Sequence, residues 1–408
     1  MKSYLWDTLS DCVSVYLVLF NCLQVTVQCK TIMSNDLFGG IEGGATRTSL
    51  VIYNGLGEKV VEHEVAESSN HWNMGMTECI YLLNQIVKDA LKKSGKYPAD
   101  TKLKCLGLCL SGCEEEETNA VLKQGLIKSH PNLAEDYIVC SDTIAPIAVA
   151  HGKGGAVIIS GTGSNALLVN PSGKQARCGG WGHILGDEGS AYWIAYRAVK
   201  TCLDCDDDFE PLPPGATINA TWNLVKSHFN IGNRSVGLQT SSDERGVHAP
   251  QDDDCNARRN EMFELLTPFY ANFSKPKVAQ LCQKLSVEAR NGDVLCKHLF
   301  ESAGVQLGKM VQSLYKNAEK PLLERPGGLP IVCSGSVWKS WDLVKPGFVK
   351  QLARTDRGVV VKEISLIKLK TGHATGAAYL AAKHINYPFP VKNNDTCYVF
   401  YNYTAASS

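Results

Sequence analysis

The chain has no excess of either charge. Its 41 lysines and arginines are matched by 41 aspartates and glutamates, so the formal net charge is zero. That excludes the basic field by which a nucleic-acid or anionic-membrane protein gathers its partner. Long unbroken apolar runs are also missing. Val13 to Cys29 comes nearest, but Asn21, Gln24 and Gln28 interrupt it, and Asp7 and Asp11 precede it with Lys2 as the one positive residue. That makes a poor transmembrane helix and a mediocre signal peptide. Residues 1–32 read as an extension outside the fold, because a second methionine, Met33, stands just before the first strand. Secretion or anchoring by this segment is the alternative. Cysteine is plentiful, at 16, but lacks the spacing of a disulfide framework. Cys105, Cys109, Cys140 and Cys333 sit in apolar runs, as free thiols do in a reducing, cytoplasmic compartment. Cys202 and Cys205 form a lone CxxC with no matching pair for zinc or redox work.

What is present suits a globular protein of two cores. There are 408 residues, 44% hydrophobic and 20% charged. One device occurs twice. The first copy is Glu42-Gly43-Gly44-Ala45-Thr46, Arg47-Thr48, an apolar run to Tyr53 and an Asn54-Gly55 turn. The second is Ser160-Gly161-Thr162-Gly163-Ser164-Asn165, an apolar run to Val169 and the turn Asn170 to Gly173. Each reads as strand, Gly/Thr/Ser corner, strand and tight turn. Glycines let backbone N–H groups crowd an anion, and Thr or Ser adds a hydroxyl. Two such hairpins facing each other would hold a polyphosphate from both sides.

The rest alternates strands with helices. Helical periodicity covers 77–93 and 115–128, with strands at 104–110 and 137–140. The second half adds strands at 156–159, 330–333 and 359–369, and helices at 188–202, 278–290, 293–317 and 373–383, with Asp293 as an N-cap. Residues 205–214 and 233–257 read as loops, the second as a disordered insertion. The class is α/β, with mixed sheets and flanking helices. Several strand ends carry small or polar residues: Glu42 to Thr46, Ser111 to Glu114, Asp142, Ser160 to Asn165 and Gly335-Ser336. Ligands of open α/β sheets collect at such carboxyl ends.

Five segments, in order, resemble the animal N-acetylglucosamine kinases. They are Glu42 to Arg47, Ser69-Asn70-His71-Trp72, Ile159 to Asn165, Cys178-Gly179-Gly180-Trp181-Gly182-His183 through Ser190, and Gly335-Ser336-Val337-Trp338-Lys339-Ser340. That group lies in the BadF/BadG-type branch of the sugar kinase/heat-shock chaperone/actin superfamily. The resemblance implies two actin-like (ribonuclease H-like) domains with an ATP cleft between them. It places a small domain at 33–150, with 385–408 packing back on it, and a large one at 151–384. The implied reaction is ATP-dependent phosphorylation of the 6-hydroxyl of N-acetylglucosamine by a homodimer, with Mg2+ to neutralise the phosphates. Thr46, Thr162, Ser164, Asn165, Ala279 and Ser336 match ATP-binding positions. Asn70, Gly180, Trp181 and Asp187 match sugar-binding positions, and Glu42 could hold a metal-bound water. Asp187 equally suits a cap for the helix entered at Glu188, and Trp338 suits a packing role.

The family's Leu-Ser-Gly-Gly-Asp reads Leu110-Ser111-Gly112-Cys113-Glu114 here. Glu114 therefore stands where the family has its catalytic aspartate. Its acidity is similar, but its reach is one methylene longer. Two other readings share these features: a catalytically impaired sugar-binding relative, and an ATPase of the dehydratase-activator type.

Overall fold

The computed structural model describes residues 35–44, 46–150, 154–232, 253–355, 358–388 and 397–405. The expected extension 1–32 and residues 233–252 of the expected insertion lie outside these. The chain forms two units. The first takes the described residues up to Ala150 together with Leu369–Cys397; the second takes those from Gly154 to Lys368 and from Tyr398 on.

The first unit is built on five strands: β1 (Leu37–Gly43), β2 (Thr48–Asn54), β3 (Lys59–Val65), β4 (Leu103–Leu110) and β5 (Ala134–Ser141). Their order is β3-β2-β1-β4-β5. β1, β2 and β3 form an antiparallel meander, whereas β1, β4 and β5 run parallel. The parallel strands are covered on both faces, which is why β4 reads as the nearly unbroken apolar run Leu-Lys-Cys-Leu-Gly-Leu-Cys-Leu. The helix Met76–Ser94 buries Ile80, Leu83, Ile86, Val87, Ala90 and Leu91, and Gly95 ends it in the left-handed conformation at φ 64°.

The second unit repeats the plan. Its strands are β6 (Gly155–Ser160), β7 (Ser164–Val169), β8 (Gln175–Gly179), β9 (Leu329–Ser334), β10 (Glu363–Leu369) and β11 (Cys397–Thr404). Their order is β11-β10-β9-β6-β7-β8, with β6, β7 and β8 antiparallel and β6, β9 and β10 parallel. Except for β11, this is the order of the first sheet. The two hairpins read from sequence are therefore β1–β2 and β6–β7, at equivalent places in two equivalent sheets. Asp293 caps the helix Val294–Lys316 by accepting from Cys296 N–H at 2.7 Å. Trp338 is fully buried and donates its Nε1–H to Ile158 O at 3.2 Å, the packing role expected of it.

The domain boundaries differ from the expected ones. The helix His373–His384 belongs to the first unit and not to 151–384. Gly40 and Gly107 pair across β1 and β4. A Cβ on either would lie 2.1 Å from Ala374 O or 2.0 Å from Ala377 O. The Ala- and Gly-rich helix thus rests on the sheet backbone itself, a fit that no sequence period announces. Residues 398–404, expected with the small domain, belong to the second unit. With Cys397 they form β11, beside β10, where Trp341 meets Phe400 and Tyr401 with ring centroids 5.7 and 5.0 Å away. Residues 253–257, expected as loop, open the helix Asp253–Phe263. The helix Asn219–Phe229, which buries Trp222, Val225 and Phe229, was not foreseen. Among the described residues no helix is long and apolar enough to cross a membrane.

The contact at Gly107 generates a test. Gly107→Val drives a branched side chain into Ala377 O, and overpacking of this kind costs about 1–3 kcal/mol or more. The expected outcome is a clear drop in the thermal midpoint, read by circular dichroism. A midpoint equal to that of the parent would refute the close packing of this helix.

Candidate active site

In the first unit, adjacent parallel strands bring three carboxylates to one edge. Register places Glu42 beside Cys109 and Cys109 beside Cys140. Glu42 therefore lies at the carboxyl end of β1, Glu114 four residues past β4 and Asp142 just past β5. Ser141 Oγ lies 3.4 Å from Glu114 Oε1 and 3.3 Å from Asp142 Oδ1, so its one proton bridges the two acids. Thr143 Oγ1 donates to Ser141 Oγ at 3.1 Å and orients it. On the other side His373 Nδ1 stands 3.7 Å from Glu42 Oε1. Burial, then the neighbouring Glu42 and Glu114 carboxylates, push Asp142 up to about 7.

Asn70 is fixed to the same corner. Its Oδ1 accepts from Trp72 N–H at 2.9 Å, capping the short helix His71–Met74. Trp72 Nε1–H in turn donates to Gly112 O at 3.0 Å. A Cβ on Gly112 would lie 2.8 Å from Trp72 Cδ1 and 2.9 Å from Asn70 Oδ1. The loop carrying Asn70 is thus pressed onto the turn that leads to Glu114. Thr46 is exposed in the β1–β2 connection, which is closed by Gly44 N–H donating to Arg47 O at 3.0 Å.

In the second unit the β6–β7 corner is laced to the loop before the helix Ala191–Asp206. Ser160 Oγ donates to Gly189 O and Ser164 Oγ to Glu188 O, both at 2.8 Å. Ala191 N–H donates to Gly161 O at 2.8 Å and Tyr192 N–H to Thr162 O at 3.4 Å. Asp187 is 3% exposed and has a φ of 65°. Its Oδ1 accepts from Ser164 N–H at 2.9 Å, and its Oδ2 meets Lys275 Nζ at 2.7 Å. Asp187 is not the helix cap. Ser190 is, accepting from Trp193 N–H at 3.1 Å.

The Gly-Gly-Trp-Gly-His segment begins where β8 ends. Gly180 N–H donates to Ser164 O at 3.1 Å. Gly180 has a φ of 79°, and a Cβ there would lie 2.4 Å from Arg177 Nη2 and 2.7 Å from Asn165 Cγ. Only glycine fits. Asn165 Oδ1 is buried with no hydrogen-bond partner, an acceptor ready for a donor from outside. Trp181 is 68% exposed, with Arg177 Cζ 5.6 Å from its ring centroid. Gly335 abuts Gly161 and carries exposed Ser336 beside the β6 end. Ala279 is buried in the helix Lys275–Asn291, one turn beyond Lys275.

Nine of the twelve expected residues therefore assemble as two groups, one per unit, with Thr46, Trp181 and Ala279 outside them. Glu42, Asn70 and Glu114 share the first unit's strand-end corner. Thr162, Ser164, Asn165, Gly180, Asp187 and Ser336 share the second's. Asp142, His373 and Lys275 belong to these groups without having been assigned roles from sequence. Asp142 was recognisable as a strand-end acid; the other two come from distant helices and gave no local signal.

Residues 40–381 match the BadF/BadG/BcrA/BcrD ATPase family. The chain belongs to that family. Over 190 residues it is 32% identical to the N-acetyl-D-glucosamine kinase of Dictyostelium discoideum, covering 44% of this chain and 58% of that protein. Over 168 residues it is 32% identical to the N-acetylmuramic acid/N-acetylglucosamine kinase of Clostridium acetobutylicum, covering 41% and 54%. The chain thus spans between a half and two thirds of the length of these curated relatives. Its fold is similar to crystal structures of candidate N-acetylglucosamine kinases from Chromobacterium violaceum (TM-score 0.60, 20% identity, 85% of this chain and 99% of that one) and Porphyromonas gingivalis (0.57, 17%, 86% and 99%). The family is, by its description, one of ATPases.

The raised Asp142 sets a pH dependence. A carboxyl held above its ordinary value folds most favourably when protonated. Its contribution to stability is therefore intact at low pH and is eroded as pH rises towards 7. Asp142→Asn abolishes the erosion. In metal- and nucleotide-free buffer the variant's advantage in thermal midpoint should grow between about pH 4 and pH 7 and then level off. A difference that does not change with pH would overturn this assignment.

Proposed function

We propose that this protein transfers the terminal phosphoryl group of ATP to the 6-hydroxyl of N-acetyl-D-glucosamine, as in amino-sugar salvage. One observation carries the reading: Trp72 and Gly112 clamp the Asn70 loop against the turn that bears Glu114. A hydroxyl donor and acceptor and a carboxylate are held as one piece, as sugar phosphorylation requires. Glu114 takes the proton from the 6-hydroxyl while the new O–P bond forms and the bond to the ADP oxygen breaks. Asn70, Gly180, Trp181 and Asp187 receive the sugar. Asp187 accepts hydroxyls, and the exposed Trp181 face suits a pyranose ring. Thr46, Thr162, Ser164, Asn165, Ala279 and Ser336 form the ATP-binding set. Within it the Ser164 hydroxyl and N–H already hold Glu188 and Asp187, so Ser164 braces the corner.

Mg2+ fits as a hydrated ion. Among the described residues no three His, Cys, Asp or Glu side chains converge tightly enough to hold a metal directly. Yet three carboxylates crowd one edge, and a divalent cation there would offset the repulsion that adds to burial in raising Asp142. Glu42 is the residue to hold a metal-bound water, and the bound ion would neutralise phosphate charge during transfer. We further read the protein as a cytoplasmic homodimer. Twelve cysteines among the described residues are free thiols, which suits a reducing compartment.

Glu114→Gln is the decisive variant. ADP release in the presence of N-acetylglucosamine and Mg2+ should fall by roughly 100-fold or more. Sugar binding, read by calorimetry, should remain measurable, and Glu114→Asp should keep turnover. Unchanged turnover in Glu114→Gln would remove Glu114 as the base. Absence of sugar-dependent ADP release from the parent chain would favour the impaired sugar-binding relative instead.

A further inference from the structure

The helix Lys275–Asn291 starts against its own dipole. Its first turn holds Lys275 and Lys277 and no acid, although a helix N-terminus favours negative charge. The start does not need a lysine. Ser274 caps it, and Pro276 fits the first turn. Lys277 points to water, but Lys275 is turned inward and is 22% exposed. Its Nζ meets Asp187 Oδ2 at 2.7 Å and stands 3.0 Å from where a Cβ on Gly163 would be. The ammonium is therefore packed against the β6–β7 turn, in space that Gly163 leaves open.

Three of that turn's donors are already spent. Gly161 N–H goes to Gly163 O, Ser164 N–H to Asp187, and the Ser164 hydroxyl to Glu188 O. A polyphosphate seated there needs positive charge from another element. Lys275 supplies it, and a point charge on a flexible stem can move from Asp187 to a phosphate oxygen without disturbing the backbone.

We propose that Lys275 contacts the phosphates of the bound nucleotide at the β6–β7 turn, sharing its charge between them and Asp187. This rests on the reading of that turn as the second phosphate loop. Lys275 makes and breaks no covalent bond. It neutralises the charge that builds on the leaving phosphate oxygens as the bond to the transferred phosphoryl group breaks. It also couples the acid assigned to the sugar to the loop assigned to ATP.

The test compares Lys275→Met, Lys275→Gln and Lys275→Arg in the full chain. Binding of ADP and of a non-hydrolysable ATP analogue is measured by calorimetry, with N-acetylglucosamine binding measured separately without nucleotide. Lys275→Met should weaken analogue binding by about 10-fold or more, as loss of a charge-assisted contact does. Sugar affinity should change by less than about threefold, and Lys275→Arg should recover most of the loss. Lys275→Gln keeps a donor to Asp187 and so separates folding from charge; it should melt near the parent yet bind the analogue weakly. Unchanged analogue affinity in folded Gln or Met variants overturns the proposal, as does a loss confined to sugar binding. Because the readout is nucleotide binding, it stands even if the parent fails to phosphorylate N-acetylglucosamine. In that case the functional reading fails and the role of Lys275 is still decided.

Discussion

Parallel strand pairing is the constraint on which the rest of this structure depends. In a parallel row every carboxyl end faces the same way, so whatever follows each strand is gathered at one edge. In the first unit this edge collects Glu42, Glu114 and Asp142. Burial first, and then the repulsion of Glu42 and Glu114, push the Asp142 carboxyl up to about 7. A fold indifferent to function would have no reason to keep such a cluster. Here it is held in place by the register of β1, β4 and β5 and by one serine hydroxyl shared between two of the acids.

The second unit applies the same strand order to a different end. Its corner carries small residues and hydroxyls, laced to the 187–190 loop by three hydrogen bonds and to the first two residues of the following helix by two more. Glycine is placed where atoms have no room, as at Gly180 between Arg177 and Asn165. Apart from β11 the two sheets thus share one strand order and differ in chemistry: one edge carries three carboxylates, and the other small residues and hydroxyls.

Much of this was legible from the sequence because it is local. A hairpin is announced by its turn and by two short β-rich runs, and Asp293 or Gly95 mark helix ends by their own conformations. The motif residues Gly180, Trp181 and Asp187 could be picked out together because they lie in one short segment. What could not be read arises between distant segments. Lys275 reaches Asp187 across nearly ninety positions. The helix at 373 joins the first unit because Gly40 and Gly107 lack side chains, which becomes meaningful only once the two glycines are known to be neighbours. Asp187 illustrates the opposite failure. Sequence allowed it to be a helix cap, and only the geometry shows Ser190 in that place. β11 went unread because its aromatic run depends on Trp341, far back in the chain, for its anchor.

The carboxylate of Asp187 gives the second unit one more property. Because it grips Ser164 N–H with one oxygen and Lys275 with the other, the turn and the 187–190 loop cannot loosen separately. A ligand that steadies either one spends part of its binding free energy steadying both. Thermodynamic linkage then demands symmetry: whatever factor the first ligand lends to the affinity of the second, the second returns to the first. The order in which two substrates arrive would thus alter the path of assembly and leave the strength of the final complex unchanged.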